Sequence, residues 1–149
     1  IHSAGEVHKT IRDARQSGFT NINLDLIFGL PGQDLASWKA TLETAMTLGP
    51  EHLSLYPLEL EESTPLFHDV TSGRTELPSE DDVVEMWETA ISVTQAAGYR
   101  RYEISNYARE GFECRHNLIY WQLDKSDHVE AFNDQPKEYL RKTIEFLNN

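Results

Sequence analysis

The sequence predicts an α/β layer of parallel strands, curved or barrel-like, with helices on one side and a polar, ligand-holding hollow on the other. Three observations carry this. A helical pattern ending on glycine runs three times into a short apolar strand: Gly18 precedes 22–28, Gly49-Pro50 precedes 52–58, and Gly98 precedes 101–106. Helix, glycine and strand repeated in order predict parallel strands joined by right-handed crossovers. Strand side chains alternate between faces, so Ile22, Leu24 and Leu26 oppose Asn23 and Asp25. In the same way Leu53 and Leu55 oppose Ser54 and Tyr56, and Tyr102 and Ile104 oppose Glu103 and Ser105. A parallel sheet covered on both faces would read as nearly continuous Val, Ile and Leu. These strands do not.

Each element has its own local signal. Ser3-Ala4-Gly5-Glu6 has the form of a capping box, and the helix after it carries Val7, Ile11 and Ala14 at helical spacing before Gly18 stops it. The turn Gly29-Leu30-Pro31-Gly32-Gln33 closes the first strand at its carboxyl end, where α/β folds place their sites. Its backbone suits close approach by a ligand, or simply a tight strand-to-helix turn. Asp34 caps a second helix whose stripe is Leu35, Trp38, Leu42, Ala45 and Leu48, and Ser79 with Asp82 starts a third lined by Val83, Trp87, Ala90, Ile91 and Thr94. Between them, 59–78 reads as a long irregular connection after the second strand, and such loops tend to be functional. After a polar loop containing Gly111 comes an apolar-aromatic stretch, 118–121. The tail is polar over 122–134 and helical in pattern over 136–147, with Tyr139, Leu140, Ile144 and Leu147 on one face.

The 149 residues are enough for one domain with a real core, and 39% apolar with 26% charged residues suits a globular protein. Thirteen basic against twenty-five acidic side chains leave a formal charge of −12. That balance argues against nucleic-acid or anionic-membrane partners, which need basic surface. Glu59, Glu61, Glu62 and Glu80-Asp81-Asp82 read as a solvated acidic surface. No apolar run approaches a membrane span. Cys114 is the only cysteine, which rules out an internal disulfide and fits a reducing cytoplasm. The chain opens at Ile1-His2 without an initiator Met and reaches a helix cap at once, so it reads as an excerpt of something longer.

Four stretches, in order, carry a family resemblance: Asn23-Leu24-Asp25-Leu26-Ile27-Phe28-Gly29-Leu30-Pro31-Gly32-Gln33, His52-Leu53-Ser54-Leu55-Tyr56-Pro57-Leu58, Tyr102-Glu103-Ile104-Ser105-Asn106-Tyr107-Ala108 and His116-Asn117-Leu118-Ile119-Tyr120-Trp121. They resemble the radical S-adenosylmethionine proteins of the oxygen-independent coproporphyrinogen III oxidase family. The last motif with the whole set is most similar to the heme chaperone, HemW-like branch. The resemblance covers residues 1–121 and implies the C-terminal half of a partial TIM-like (α/β) barrel with the cofactor at the carboxyl ends of its strands; 122–149 would be a divergent tail. It implies that Asp25 binds the ribose of S-adenosylmethionine or its surroundings. A carboxylate can accept from both hydroxyls of a vicinal diol; the alternative is a structural Asp held by backbone N–H groups at a strand end. Glu59 matches a position whose backbone meets the adenine. His116 could offer an imidazole to heme iron beside aromatic rings, or its motif could form a packed corner. Cys114 is either a second soft ligand or an ordinary loop thiol.

The resemblance also implies a [4Fe–4S] cluster held by a C-x-x-x-C-x-x-C loop, and this chain has one cysteine where three thiolates are needed. A glycine-rich stretch after Tyr120-Trp121 is replaced by Gln122-Leu123-Asp124-Lys125. The expectation is therefore a barrel fragment without the N-terminal cluster-binding half, inactive alone. The intact protein would bind S-adenosylmethionine and heme and pass heme to acceptor proteins in the cytoplasm. Two other classes stay open: the oxidase itself, which decarboxylates coproporphyrinogen III oxidatively, and a non-catalytic remnant of the barrel.

Overall fold

The computed structural model describes residues 3–123. In chain order they form α1 (Ala4–Gln16), β1 (Asn23–Phe28), α2 (Leu35–Thr47), β2 (His52–Pro57), α3 (Pro65–Thr71), α4 (Glu80–Ala96), β3 (Arg100–Arg101), β4 (Asn106–Ala108) and α5 (Arg115–Leu123). Three helices begin on reciprocal caps. The Ser3, Asp34 and Ser79 side chains accept from the N–H three residues on, while Glu6, Ser37 and Asp82 bond back to the cap. Each pairing satisfies donors that an open helix start leaves orphaned.

The four strands make one sheet in the order β1-β2-β4-β3. β1 and β2 pair in parallel, with Asn23 beside His52, Leu24 beside Leu53, Asp25 beside Ser54 and Leu26 beside Leu55. That register lines apolar side chains up on one face and polar ones on the other. The apolar face meets α2 and α4: Phe28, Leu53, Leu55 and Tyr107 from the strands join Trp38, Leu42, Val84, Met86, Trp87 and Ala90 in one buried cluster. Trp38 is its centre. Its ring is fully buried, stacks on Phe28 at 5.2 Å between centroids, and donates Nε1–H to the Met86 carbonyl at 2.8 Å. A buried indole needs such an acceptor. At the other end of the sheet Arg15 ties α1 down, donating to the Glu51 carboxylate at 2.8 Å and to the Gly49 carbonyl at 2.7 Å.

Helices on one side of an α/β sheet and a polar opposite face are as the alternation predicts. The third strand is not. Instead of one strand over 101–106, the chain reverses and gives two short strands, β4 antiparallel to β2 and β3 antiparallel to β4. The cause is local. The Glu103 carboxylate accepts from the Ser105 N–H at 2.9 Å and from the Asn106 side-chain amide, and the Tyr102 N–H reaches the Asn106 carbonyl at 3.2 Å. Together they fold 102–105 into a turn. The connection 59–78 likewise is not wholly irregular: Thr64 caps α3 and Pro65 sits in its first turn, where a missing N–H costs nothing. The helix expected at 136–147 lies outside the described residues.

Trp38 gives the fold its sharpest test. Trp38→Ala is expected to lower unfolding free energy by about 3–5 kcal/mol through cavity formation. Trp38→Phe, which keeps a ring but gives up the indole bond to the Met86 carbonyl, is expected to cost about 0.5–1.5 kcal/mol. Urea denaturation followed by circular dichroism measures both, and a Trp38→Phe chain as stable as wild type would contradict the placement of that ring.

Candidate functional site

The polar face of the sheet is the floor of an open cavity of about 810 Å3, within the range of about 300–1,000 Å3 typical of ligand sites. Asn23 and Asp25 come from β1, His52, Ser54 and Tyr56 from β2, and Asn106 from β4, while the loop and helix start Gly111–Asn117 form a wall. Strand register sets this floor: Asp25, Ser54 and Asn106 lie in one row across three strands, and Asn23, His52 and Ala108 in the next. His52, Ser54 and Asn106 are buried although polar, so each needs partners.

The partners form a chain. Asn23 Oδ1 lies 2.7 Å from His52 Nδ1, and His52 Nε2 lies 2.7 Å from the Tyr102 hydroxyl. Asn23 Nδ2 donates to Asp25 Oδ1 at 2.6 Å and to Ser54 Oγ at 3.1 Å. Tyr102 Oη in turn accepts the Cys114 N–H at 3.1 Å and the Asn117 side-chain amide at 3.2 Å. Burial holds the His52 imidazole below its ordinary range, against the pull of the Glu103, Asp25 and Glu113 carboxylates. Burial also raises the Tyr102 phenol, against the hydrogen bonds from Cys114 and Asn117. Both rings are therefore neutral near pH 7, as a chain of neutral hydrogen bonds requires.

Among the residues singled out from sequence, Asp25, Cys114 and His116 border the same cavity. Both Asp25 and His116 are solvent-accessible, hence open to a ligand. Glu59 is exposed beyond the end of β2 and is not among the lining residues. The turn after β1 is not part of the cavity either. Gln33 Oε1 accepts the Gly29 and Leu30 N–H groups at 2.8 and 3.3 Å, and a Cβ on Gly29 would lie 3.4 Å from Val83 on α4. At φ 77° the backbone there is in the left-handed region that favours glycine. Sequence reasoning overlooked Asn23, His52 and Tyr102 as site residues. The signal was present in Asn23-x-Asp25 and His52-x-Ser54, polar pairs two apart on neighbouring strands.

The donor set decides which groups fit. Asp25, with Asn21 and Asn23 beside it, offers acceptors and donors suited to a sugar diol. His116 and Phe112, both on the wall, offer an imidazole and an aromatic surface suited to a porphyrin. An iron–sulfur cluster does not fit, because Cys114 supplies one thiolate of the three required. Among the described residues no three His, Cys, Asp or Glu side chains converge as a metal site.

No protein-family model matches the chain. Individual proteins do. The heme chaperone HemW of Bacillus subtilis is 42% identical over 125 residues, 84% of this chain and 33% of that protein. HemW of Lactococcus lactis is 37% identical over 124 residues, and the mitochondrial radical S-adenosyl methionine domain-containing protein 1 of Danio rerio 36% over 121. The solved structure of the Escherichia coli coproporphyrinogen III oxidase HemN, a radical SAM enzyme, matches with a TM-score of 0.64 at 26% identity, covering 83% of this chain and 27% of that one. The chain thus spans about a third of the length of the curated relatives it matches.

The depressed acidity range of His52 carries a sign. Its pKa is lower folded than its ordinary 6.5, so on acidification the unfolded chain takes up the proton first. The stability tied to neutral His52 is intact above pH 6.5 and is lost as pH falls below that value toward the folded pKa. Urea midpoints of wild type should therefore drop between pH 7 and 5 more than those of His52→Gln, which stays neutral; parallel curves would refute it.

Proposed function

We propose, from the chain's homology to one segment of the heme chaperones of the radical S-adenosylmethionine family, that residues 1–121 form the cavity-bearing segment of a heme chaperone-like protein and that 122–149 are a separate tail. The observation that supports this best is that Asp25 and His116 border one cavity. Asp25 accepts hydrogen bonds from the ribose hydroxyls of S-adenosylmethionine. Asn23 occupies one carboxylate oxygen and so fixes the group's orientation, leaving the other to the ligand. Glu59 contributes through its backbone at the adenine end. His116 ligates heme iron, and Phe112 packs beside the macrocycle. Heme is here the cargo, handed on to acceptor proteins in a reducing, cytoplasmic setting. None of the described helices is long and apolar enough to cross a membrane.

S-adenosylmethionine, when bound next to a reduced [4Fe–4S] cluster, supplies an adenosyl radical. This chain lacks the thiolates for that cluster and its own residues only bind and orient. A second reading is the oxidase, favoured by the fold match to coproporphyrinogen III oxidase. Stoichiometric heme retention separates the chaperone from the oxidase, which turns over coproporphyrinogen III. A non-catalytic remnant is the third, favoured by the single cysteine, and would bind neither ligand.

Hemin added to the 149-residue chain is expected to give a saturable Soret shift at one equivalent, abolished by His116→Ala; an unshifted wild-type spectrum would remove the heme assignment. Under anaerobic reducing conditions the chain alone is expected to release no 5′-deoxyadenosine from S-adenosylmethionine, and any product detected by chromatography would contradict the division of labour.

A further inference from the structure

The hydrogen bonds on the cavity floor have a single direction. Asn23 Oδ1 can only accept, so His52 Nδ1, 2.7 Å away, carries the proton and donates it. The neutral ring then presents a lone pair at Nε2, which accepts from the Tyr102 hydroxyl at 2.7 Å. That assignment is forced from the other side as well. Tyr102 Oη already accepts the Cys114 N–H and the Asn117 amide, so its own proton has one place to go. Beyond His52, Asn23 Nδ2 donates to Asp25 Oδ1 at 2.6 Å. Donation runs from the wall segment through Tyr102, His52 and Asn23 to a carboxylate, and every bond polarises the next in the same sense.

The chain crosses four separate parts of the fold. It starts on the loop and first turn of α5 that carry His116, passes the β3–β4 turn at Tyr102, enters β2 at His52 and ends on β1 at Asp25. The edge-on contact of the His52 and Tyr102 rings, 5.6 Å between centroids at 66°, holds the central link. We propose that His52 and Tyr102 are positioning residues that join the two ends of the cavity: Tyr102 pins the segment bearing His116, and His52, braced by Asn23 against Asp25, fixes the Tyr102 hydroxyl in the posture that accepts from that segment. The identities of the two ligands rest on the proposed function; the linkage between the ends rests on the hydrogen bonds alone.

The linkage is tested without ligand by NMR on the full chain. His52 should show the Nδ1–H tautomer in its 15N shifts. Asp25→Asn should move the Cys114 amide proton, and the movement should vanish in a Tyr102→Phe background. His52→Gln, whose amide offers both N–H donors and a carbonyl acceptor, should preserve the effect, while His52→Phe should lose it. A proton on Nε2, an effect equal in both Tyr102 backgrounds, or equal loss in the Gln and Phe variants would overturn the proposal. Hemin titration supplies the second arm: affinity should fall about fivefold or more in His52→Phe and recover in His52→Gln, and equal losses would again overturn it. If wild type binds no hemin, the proposed function falls, and the NMR cycle alone decides the linkage.

Discussion

The in-register parallel pairing of β1 with β2 is the constraint on which the rest of the structure depends. Side chains alternate along a strand, so a slip of one residue would send Asn23 and Asp25 into the apolar core and Leu24 and Leu26 into the cavity. The observed register prevents this by matching like with like across the ladder: Leu24 with Leu53 on one face, Asp25 with Ser54 on the other. Burial of Phe28, Leu53 and Leu55 under Trp38, Leu42 and Met86 rewards that register from one side. The hydrogen bond between Asn23 and His52, neighbours in the ladder, rewards it from the other. Core and site are therefore specified by a single pairing.

That economy explains what was legible in the sequence. Alternation at 22–28 and 52–58 sufficed for a one-sided polar sheet, and the Ser3, Asp34 and Ser79 caps are short-range signals that the fold keeps. The turn at 102–105 was hidden because its residues also alternate; what decides is Glu103 capturing Ser105 and Asn106, a choice that side-chain period does not report. Asp25 and His116 were identified by motif, and their shared cavity required the fold. His52 and Tyr102 are 50 residues apart, and no local pattern brings a histidine in a strand to a tyrosine in a turn. Read alone, each is an ordinary half-apolar side chain.

The cavity's chemistry is selective even before a ligand is considered. Its floor is made of neutral amides, the Ser54 and Tyr56 hydroxyls and a neutral imidazole, with one carboxylate among them at Asp25, while its wall carries Phe112, Cys114 and His116 together with Glu113 and Arg115. A hydroxyl-rich ligand suits the floor and a flat aromatic metal complex suits the wall. Relatives of the chain are described as heme chaperones, and its fold is shared with a radical SAM enzyme.

The native thiol of Cys114 permits the most direct test that Asp25 and His116 overlook one hollow with the helices behind the sheet. A nitroxide attached to Cys114 should broaden the NMR side-chain signals of Asn23, His52 and Asn106 more strongly than the Trp38 indole N–H on the far face. A Trp38 signal broadened as much as theirs, or cavity-floor signals left sharp, would contradict the account.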